Sequence, residues 1–386
     1  MKRRILIVGT ILMLFLGLIY AWSLFAAPLE EAFNWSRSQT STTFSISMIT
    51  FCLGSIASGI LLRKRSPGNI LLISAILFLG GFYWASRITS IWELYISYGV
   101  FCGFGVGLSY NAILSTVPKW YPSRGGFATG TLLMGMGLGS LILGIAVKRI
   151  MDALVWVRTF KLLAITFFVI FAIGSFMLMD PEIEGGSTSR GTNQRNYKLL
   201  QMLKTVDFWM LFGWATIVSS IGLALVSNAS YMAAEVGVSE FALPLIVGMV
   251  SIGNGLGRLI FGAITDKFGG KKAMFTGNLV FIVCLLLIMM ANKFAFILYI
   301  GMGFILGGIG YGASPTLSAA LTKHKFGEKY FPQNLSAIVL ALIPASLIGP
   351  TISAGVYQHF GHYMLVYYIM LAMALLAFLP VIMYRE

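Results

Sequence analysis

The stretch SIGNGLGRLIFGAITDKFGGKK, Ser251 to Lys272, sets an arginine inside an apolar, glycine-rich run. Arg258 stands eight residues before Asp266, where the run breaks into a charged loop. On a helix rising 1.5 Å per residue that separation is roughly 12 Å, close to half of a bilayer core of about 30 Å. If the stretch crosses a membrane, Arg258 sits near the midplane. Fold and function then both turn on what a guanidinium does there.

The composition supports that condition. Of 386 residues, 58% are hydrophobic and only 10% charged, which is not the make-up of a soluble chain. Apolar runs of about 20 residues recur throughout, so the expected class is an all-α, polytopic membrane protein. The net charge of +14 has no soluble basic domain to carry it, so no nucleic-acid partner is expected. Cys52, Cys102 and Cys284 fall in apolar runs without ligand spacing, which predicts packing residues and neither disulfide, metal site nor cofactor. The apolar run after Met1-Lys-Arg-Arg is too long for a signal-peptide core and is read as an uncleaved first span.

Twelve spans are expected, near 5–27, 41–62, 69–87, 91–115, 127–147, 160–179, 208–230, 242–264, 273–292, 294–318, 333–356 and 363–383. A long polar segment follows the sixth, which divides the chain into bundles at 1–180 and 207–386 joined by a linker at 181–206. That linker ends in a candidate surface helix containing Tyr197, Leu199, Leu200, Met202 and Leu203. Of the 27 lysines and arginines, seven lie in loops on the side away from the termini (Arg37, Arg87, Lys148, Arg149, Arg158, Lys161, Lys293). Arg258 lies within a span, which leaves nineteen on the side of the termini. That asymmetry predicts a multi-pass plasma-membrane protein with both termini and the linker in the cytoplasm.

The halves also repeat. YISYGVFCGFGVGLSYN (95–111) aligns with YIGMGFILGGIGYGASP (299–315) at an offset of 204, which also carries Lys119 onto Lys323. Gly54 and Gly59 fall on Gly257 and Gly262 at an offset of 203, which sets Ser55 opposite Arg258. Transporters are commonly built from such repeats with their cargo between them. The repeat explains the span but not the charge, because the arginine belongs to one half only.

The loop from Gly262 through Asp266, Lys267, Gly269, Lys271 and Lys272 resembles the G-x-x-x-D-[RK]-x-G signature of the major facilitator superfamily. Its counterpart from Gly59 is degenerate, with Arg63 in place of the acid. The resemblance covers essentially the whole chain and implies two pseudo-symmetric six-helix bundles. An aspartate at such a helix end can hold the neighbouring bundle in one state and release it in another, which makes Gly262, Asp266, Lys267, Gly269, Lys271 and Lys272 a candidate conformational switch. The alternative is a solvated charged turn.

Three further stretches, Tyr20-Ala-Trp-Ser23, Lys119-Trp-Tyr-Pro122 and Asn254-Gly-Leu-Gly-Arg258, resemble the oxalate:formate antiporter family and the related monocarboxylate transporters. That likeness implies that Arg258 holds the carboxylate of a small organic anion. Independently, a guanidinium pairs with a carboxylate in planar, bidentate fashion, and holding one at midplane costs about 2.5–3.5 kcal/mol on insertion scales. All thirteen acids are assigned to loops or span ends, so no structural ion pair is expected to consume it. Backbone carbonyls and water are the alternative partners.

Two departures narrow the cargo. Oxalate transporters carry a lysine eight residues before a span-eleven proline, where Leu342 stands here before Pro350, so one cation rather than two predicts a monoanion. Monocarboxylate transporters commonly place an acid one turn before the arginine and use it in proton coupling; Asn254 stands there instead. Exchange or facilitated movement is therefore preferred over a proton relay. Asn254, Tyr20, Tyr110, Asn111 and Tyr311 complete the candidate substrate site, although each tyrosine can equally be a packing residue. The expected protein is a monomeric transporter in the lipid bilayer and not an enzyme, since no nucleophile or carboxylate pair faces a plausible cavity. A drug exporter, which would want a midplane acid, and a transport-dead sensor are the competing readings.

Overall fold

The computed structural model describes residues 1–181, 196–239 and 242–384. Among these, ten helices are long and apolar enough to cross a membrane. The one spanning Gly125–Met177 is folded on itself at Val155, whose φ of 56° breaks the helix, and so supplies two spans. The helix Leu243–Phe268, 26 residues long and carrying Arg258, completes twelve.

In chain order they are α1 (Lys2–Leu16, continued by a 3-10 turn, Gly17–Ala21, into Trp22–Phe33), α2 (Arg37–Leu61), α3 (Pro67–Ala85), α4 (Ile91–Trp120), α5 (125–154) and α6 (156–177). The second half adds α7 (Val206–Glu235), α8 (Leu243–Phe268), α9 (Gly270–Phe294), α10 (Ile297–Phe326), α11 (Phe331–Tyr357) and α12 (Met364–Met383). Polar caps bound the apolar runs. Ser36 and Gln39 form a reciprocal capping box at α2, and Ser66 and Thr205 accept backbone N–H groups at the starts of α3 and α7. The sequence places a loop between spans five and six, but helix runs on to Val155 and resumes after it, with Lys148 and Asp152 pairing one turn apart.

Two large groups of buried side chains form. One gathers residues of 5–178, the other residues of 202–384, and Ala319, Phe331, Leu335 and Val339 of the second half are buried in the first group. Within each half the helices pair alike. Gly54 and Gly107 bring α2 against α4, and Gly257 and Gly312 bring α8 against α10, each so close that a Cβ would strike the neighbour's backbone within 2.7 Å. The expected linker at 181–206 falls largely outside the described residues. Its tail is ordered as a short helix, Leu199–Met202, with Met202 buried and Leu200 exposed. It is held at the end of the bundle that carries the termini, where Tyr197 donates its backbone N–H to Phe326 and accepts from Asn334 Nδ2.

Candidate functional site

Across the halves, α5 and α8 run antiparallel and nearly touch. A Cβ on Gly262 would lie 2.4 Å from the Gly126 carbonyl oxygen, one on Gly130 2.6 Å from that of Arg258, and Gly137 meets Gly255 at 3.1 Å. The other side of the α5 glycine stripe, Gly135 and Gly139, packs on the backbone of α1 at Thr10 and Leu14. Small residues thus carry α5 between its own half and α8, which places Leu133 beside Arg258.

Arg258 is 2% exposed. Its Nη1 donates to the Leu133 carbonyl across the halves at 2.6 Å, and its Nε to Asn254 Oδ1 one turn earlier at 3.2 Å. Asn254 therefore orients the guanidinium, and both residues lie on one helix face. Among the described residues no carboxylate pairs with Arg258.

Around the guanidinium lies a central cavity. Tyr20, Tyr110 and Tyr311 all line it, as do Phe51, Leu133 and Met136 from the first half and Ser219, Ser314, Ser318 and Leu342 from the second. The 3-10 turn at Gly17–Ala21 interrupts α1 at Tyr20, which lines the cavity together with Arg258. Tyr311 is seated against the bare backbone of Gly222 on α7. Two of the lining hydroxyls, Ser219 Oγ and Ser314 Oγ, hydrogen-bond to each other at 2.8 Å. The free space is about 30 Å³, room for about two water molecules. The cavity thus offers one cationic group, three phenols and three serine hydroxyls among apolar side chains.

Asn111 is placed elsewhere. Fully buried, it points away from the cavity, and its Nδ2 lies 2.8 Å from the Ser55 carbonyl on α2, 2.8 Å from the Pro332 carbonyl and 2.6 Å from Ser336 Oγ on α11. Ser336 Oγ also donates to the Ser55 carbonyl at 2.7 Å, and Ser115 Oγ donates to Asn111 Oδ1 at 2.8 Å. The amide that the sequence groups with Tyr110 is instead a latch tying α4 and α2 to the other half. It lies on the terminus-bearing side of the cavity.

A second closure occupies the end of α8. Asp266 accepts from the backbone N–H groups of Gly126 (2.9 Å) and Phe127 (2.8 Å), the first turn of α5. A carboxylate on a helix N-terminus is favourable through both hydrogen bonds and dipole. Gly262 makes the close approach possible, and Gly269 ends α8 at a φ of 85° that favours glycine. Lys271 donates to the Ile382 carbonyl at 3.2 Å, Lys267 lies over the Phe268 ring, and Lys272 is exposed.

Two successive stretches, residues 5–227 and 212–386, match the Major Facilitator Superfamily model. The chain belongs to the major facilitator superfamily. It is a membrane transporter of that superfamily, nearly all helical and with no strand among the described residues. An oxalate:formate antiporter of Oxalobacter formigenes is 25% identical over 348 residues, covering 89% of this chain and 82% of that one. Monocarboxylate transporter 11 of Homo sapiens is 22% identical over 259 residues, 65% of this chain and 53% of that one. Among solved structures, a proton:xylose symporter bound to 6-bromo-6-deoxy-D-glucose superposes with a TM-score of 0.75 at 17% identity, over 100% of this chain and 96% of that one.

The sequence reading did not single out Ser219, Ser314, Ser318 or the Leu133 carbonyl. Hydroxyls within apolar helices carry no spacing signal, and a backbone acceptor carries none at all. The latch partners Pro332 and Ser336 were equally silent.

Proposed function

We propose that this transporter moves a small monocarboxylate by alternating access, holding the carboxylate on Arg258. The carrying observation is a buried guanidinium that faces a cavity and has no carboxylate partner among the described residues. Two of its donors are committed to Leu133 and Asn254, and the remaining ones suit a bidentate carboxylate. Leu342 and not a lysine lines the cavity, and Arg258 is the one cation among its described lining residues, so one negative charge is the better match. Tyr20 and Tyr311 are placed to donate to the carboxylate, and the Ser219–Ser314 pair to meet a polar tail. The names of the relatives, an oxalate:formate antiporter and a monocarboxylate transporter, agree with that chemistry.

Cargo exchanges between bundles of residues 1–180 and 207–386, with linker, termini, the Asp266 closure and the Asn111 latch on the cytoplasmic side, as the distribution of basic residues implies. The protein works as a monomer in the plasma membrane, by exchange or facilitated movement. The test is uptake of formate, lactate, pyruvate and oxalate into proteoliposomes, paired with thermal shifts of the purified protein. Losing hydrogen bonds to a charged group costs about 1.5–3 kcal/mol, so Arg258→Ala is expected to weaken cargo binding by about 10- to 150-fold. Wild-type transport by a folded Arg258→Ala protein overturns the proposal.

A further inference from the structure

A second cavity, about 320 Å³, opens at the terminus-bearing end between the halves. It lies one turn of α11 beyond the central site: Pro332 and Gln333 line it, whereas Leu335 and Ile338 line the central cavity. Four cationic side chains surround it, Arg63 and Lys119 from the first half and Lys323 and Lys329 from the second, against two acids, Asp180 and Glu328. The acids are already used within their own halves: Lys119 pairs with Asp180 at 2.6 Å and Lys323 with Glu328 at 2.8 Å. Arg63 and Lys329 are exposed and have no carboxylate partner among the described residues. Both line the same cavity, one from each half.

The internal repeat explains why this space is charged. The offset of 203 that carries Gly59 onto Gly262 carries Arg63 onto Asp266, and the offset of 204 carries Gly126 and Phe127 onto Tyr330 and Phe331. On one side of the molecule, the Asp266 carboxylate locks the first turn of α5. On the other, Gly59 closes on α11 in the same way, a Cβ there lying 2.7 Å from the Pro332 carbonyl oxygen. Yet Arg63 stands in place of the acid, and the first turn of α11 has neither an acidic residue nor a side-chain cap. One lock carries its anion; its twin is built of cations around an opening.

We infer that an exogenous polyvalent oxyanion of the phosphate class occupies this cavity, bridges Arg63 to Lys329 across the halves, and holds this end of the transporter shut. Two formal charges on the ligand match the two cations that have no carboxylate partner among the described residues. Because the cations come from opposite halves, the cavity exists only when they are together. The anion therefore binds the closed arrangement selectively, and at ten times its Kd it shifts the closed-to-open ratio about tenfold. This site is separate from Arg258 and does not depend on the identity of the cargo.

The test uses full-length protein with spin labels on cysteines introduced at Arg65 and Lys272, one on each half of this end. Pyrophosphate is titrated in neutral detergent, and the same measurement is made in phosphatidylcholine nanodiscs with and without phosphatidic acid, whose phosphomonoester can carry two charges. Closing by pyrophosphate in detergent assigns the site to a soluble anion. Closing with phosphatidic acid alone assigns it to a lipid headgroup phosphate. In either case Arg63→Gln combined with Lys329→Gln abolishes the response, and Arg258→Ala keeps it. An undiminished response in the double variant, or no response to either source, overturns the inference and leaves the Arg258 proposal untouched.

Discussion

Replacing Asn111 by alanine removes a latch without touching the cavity. Its amide has two N–H donors for three acceptors, the Ser55 carbonyl of its own half at 2.8 Å and, on the far half, the Pro332 carbonyl at 2.8 Å and Ser336 Oγ at 2.6 Å. A buried hydrogen bond contributes about 0.5–1.5 kcal/mol net, so the share that crosses the halves gives about 1–2 kcal/mol. The bond from Ser336 to the Ser55 carbonyl survives the substitution and keeps the estimate from rising further. Since these contacts exist only with this end closed, nearly the whole loss appears as a shift of about 5- to 30-fold toward the open arrangement. Distance distributions between labels at positions 65 and 272 read that ratio directly. Ser115→Ala is the control, because Ser115 touches Asn111 from its own helix and crosses no boundary. A ratio unchanged by Asn111→Ala, or moved as far by Ser115→Ala, refutes the assignment of Asn111 as a latch between halves.

Other substitutions separate the remaining parts. Gly262→Ala drives a Cβ into the Gly126 carbonyl at 2.4 Å, backbone against backbone, and is expected to open the same end at a cost of about 1–3 kcal/mol; the label distances check it. Asp266→Asn keeps an acceptor but loses the charge at an exposed site, where the dipole interaction amounts to about 0.3–1 kcal/mol, so its shift in the same ratio should be smaller than that of Asn111→Ala. Gly222→Ala would place a Cβ 2.2 Å from the Tyr311 ring and push it into the cavity, so cargo affinity measured by thermal shift should fall while Arg258 is intact. Among the described residues no carboxyl or imidazole group lines the central cavity, so cargo exchange should be flat across the neutral pH range. Stoichiometric proton uptake with a pH-sensitive dye would show symport instead.

Some of this was open to reading from the chain and some was not, for definite physical reasons. A charge in an apolar run announces its depth, which is why Arg258 and the turn at Asp266 stood out. Tyr20, Tyr110 and Tyr311 could be gathered because the resemblance to the superfamily implies that spans one, four and ten line the cavity, although nothing local told a cavity tyrosine from a packed one. Asn111 lay beside Tyr110 in sequence, yet one residue on a helix turns a side chain about 100° away. Its partners are 56, 221 and 225 residues distant, beyond the reach of any periodicity. The break at Val155 had no glycine or proline to mark it.

The acceptor that Arg258 uses across the halves is a peptide carbonyl, so no substitution of the Leu133 side chain can delete it. The anchor is thereby insulated from drift, while the residues that shape the rest of the cavity, Ser219, Ser314 and Leu342, are ordinary side chains open to change. If Arg258 holds the cargo as proposed, a lineage carrying this architecture can exchange one cargo for another by altering those walls, generation after generation, and keep the same anchor.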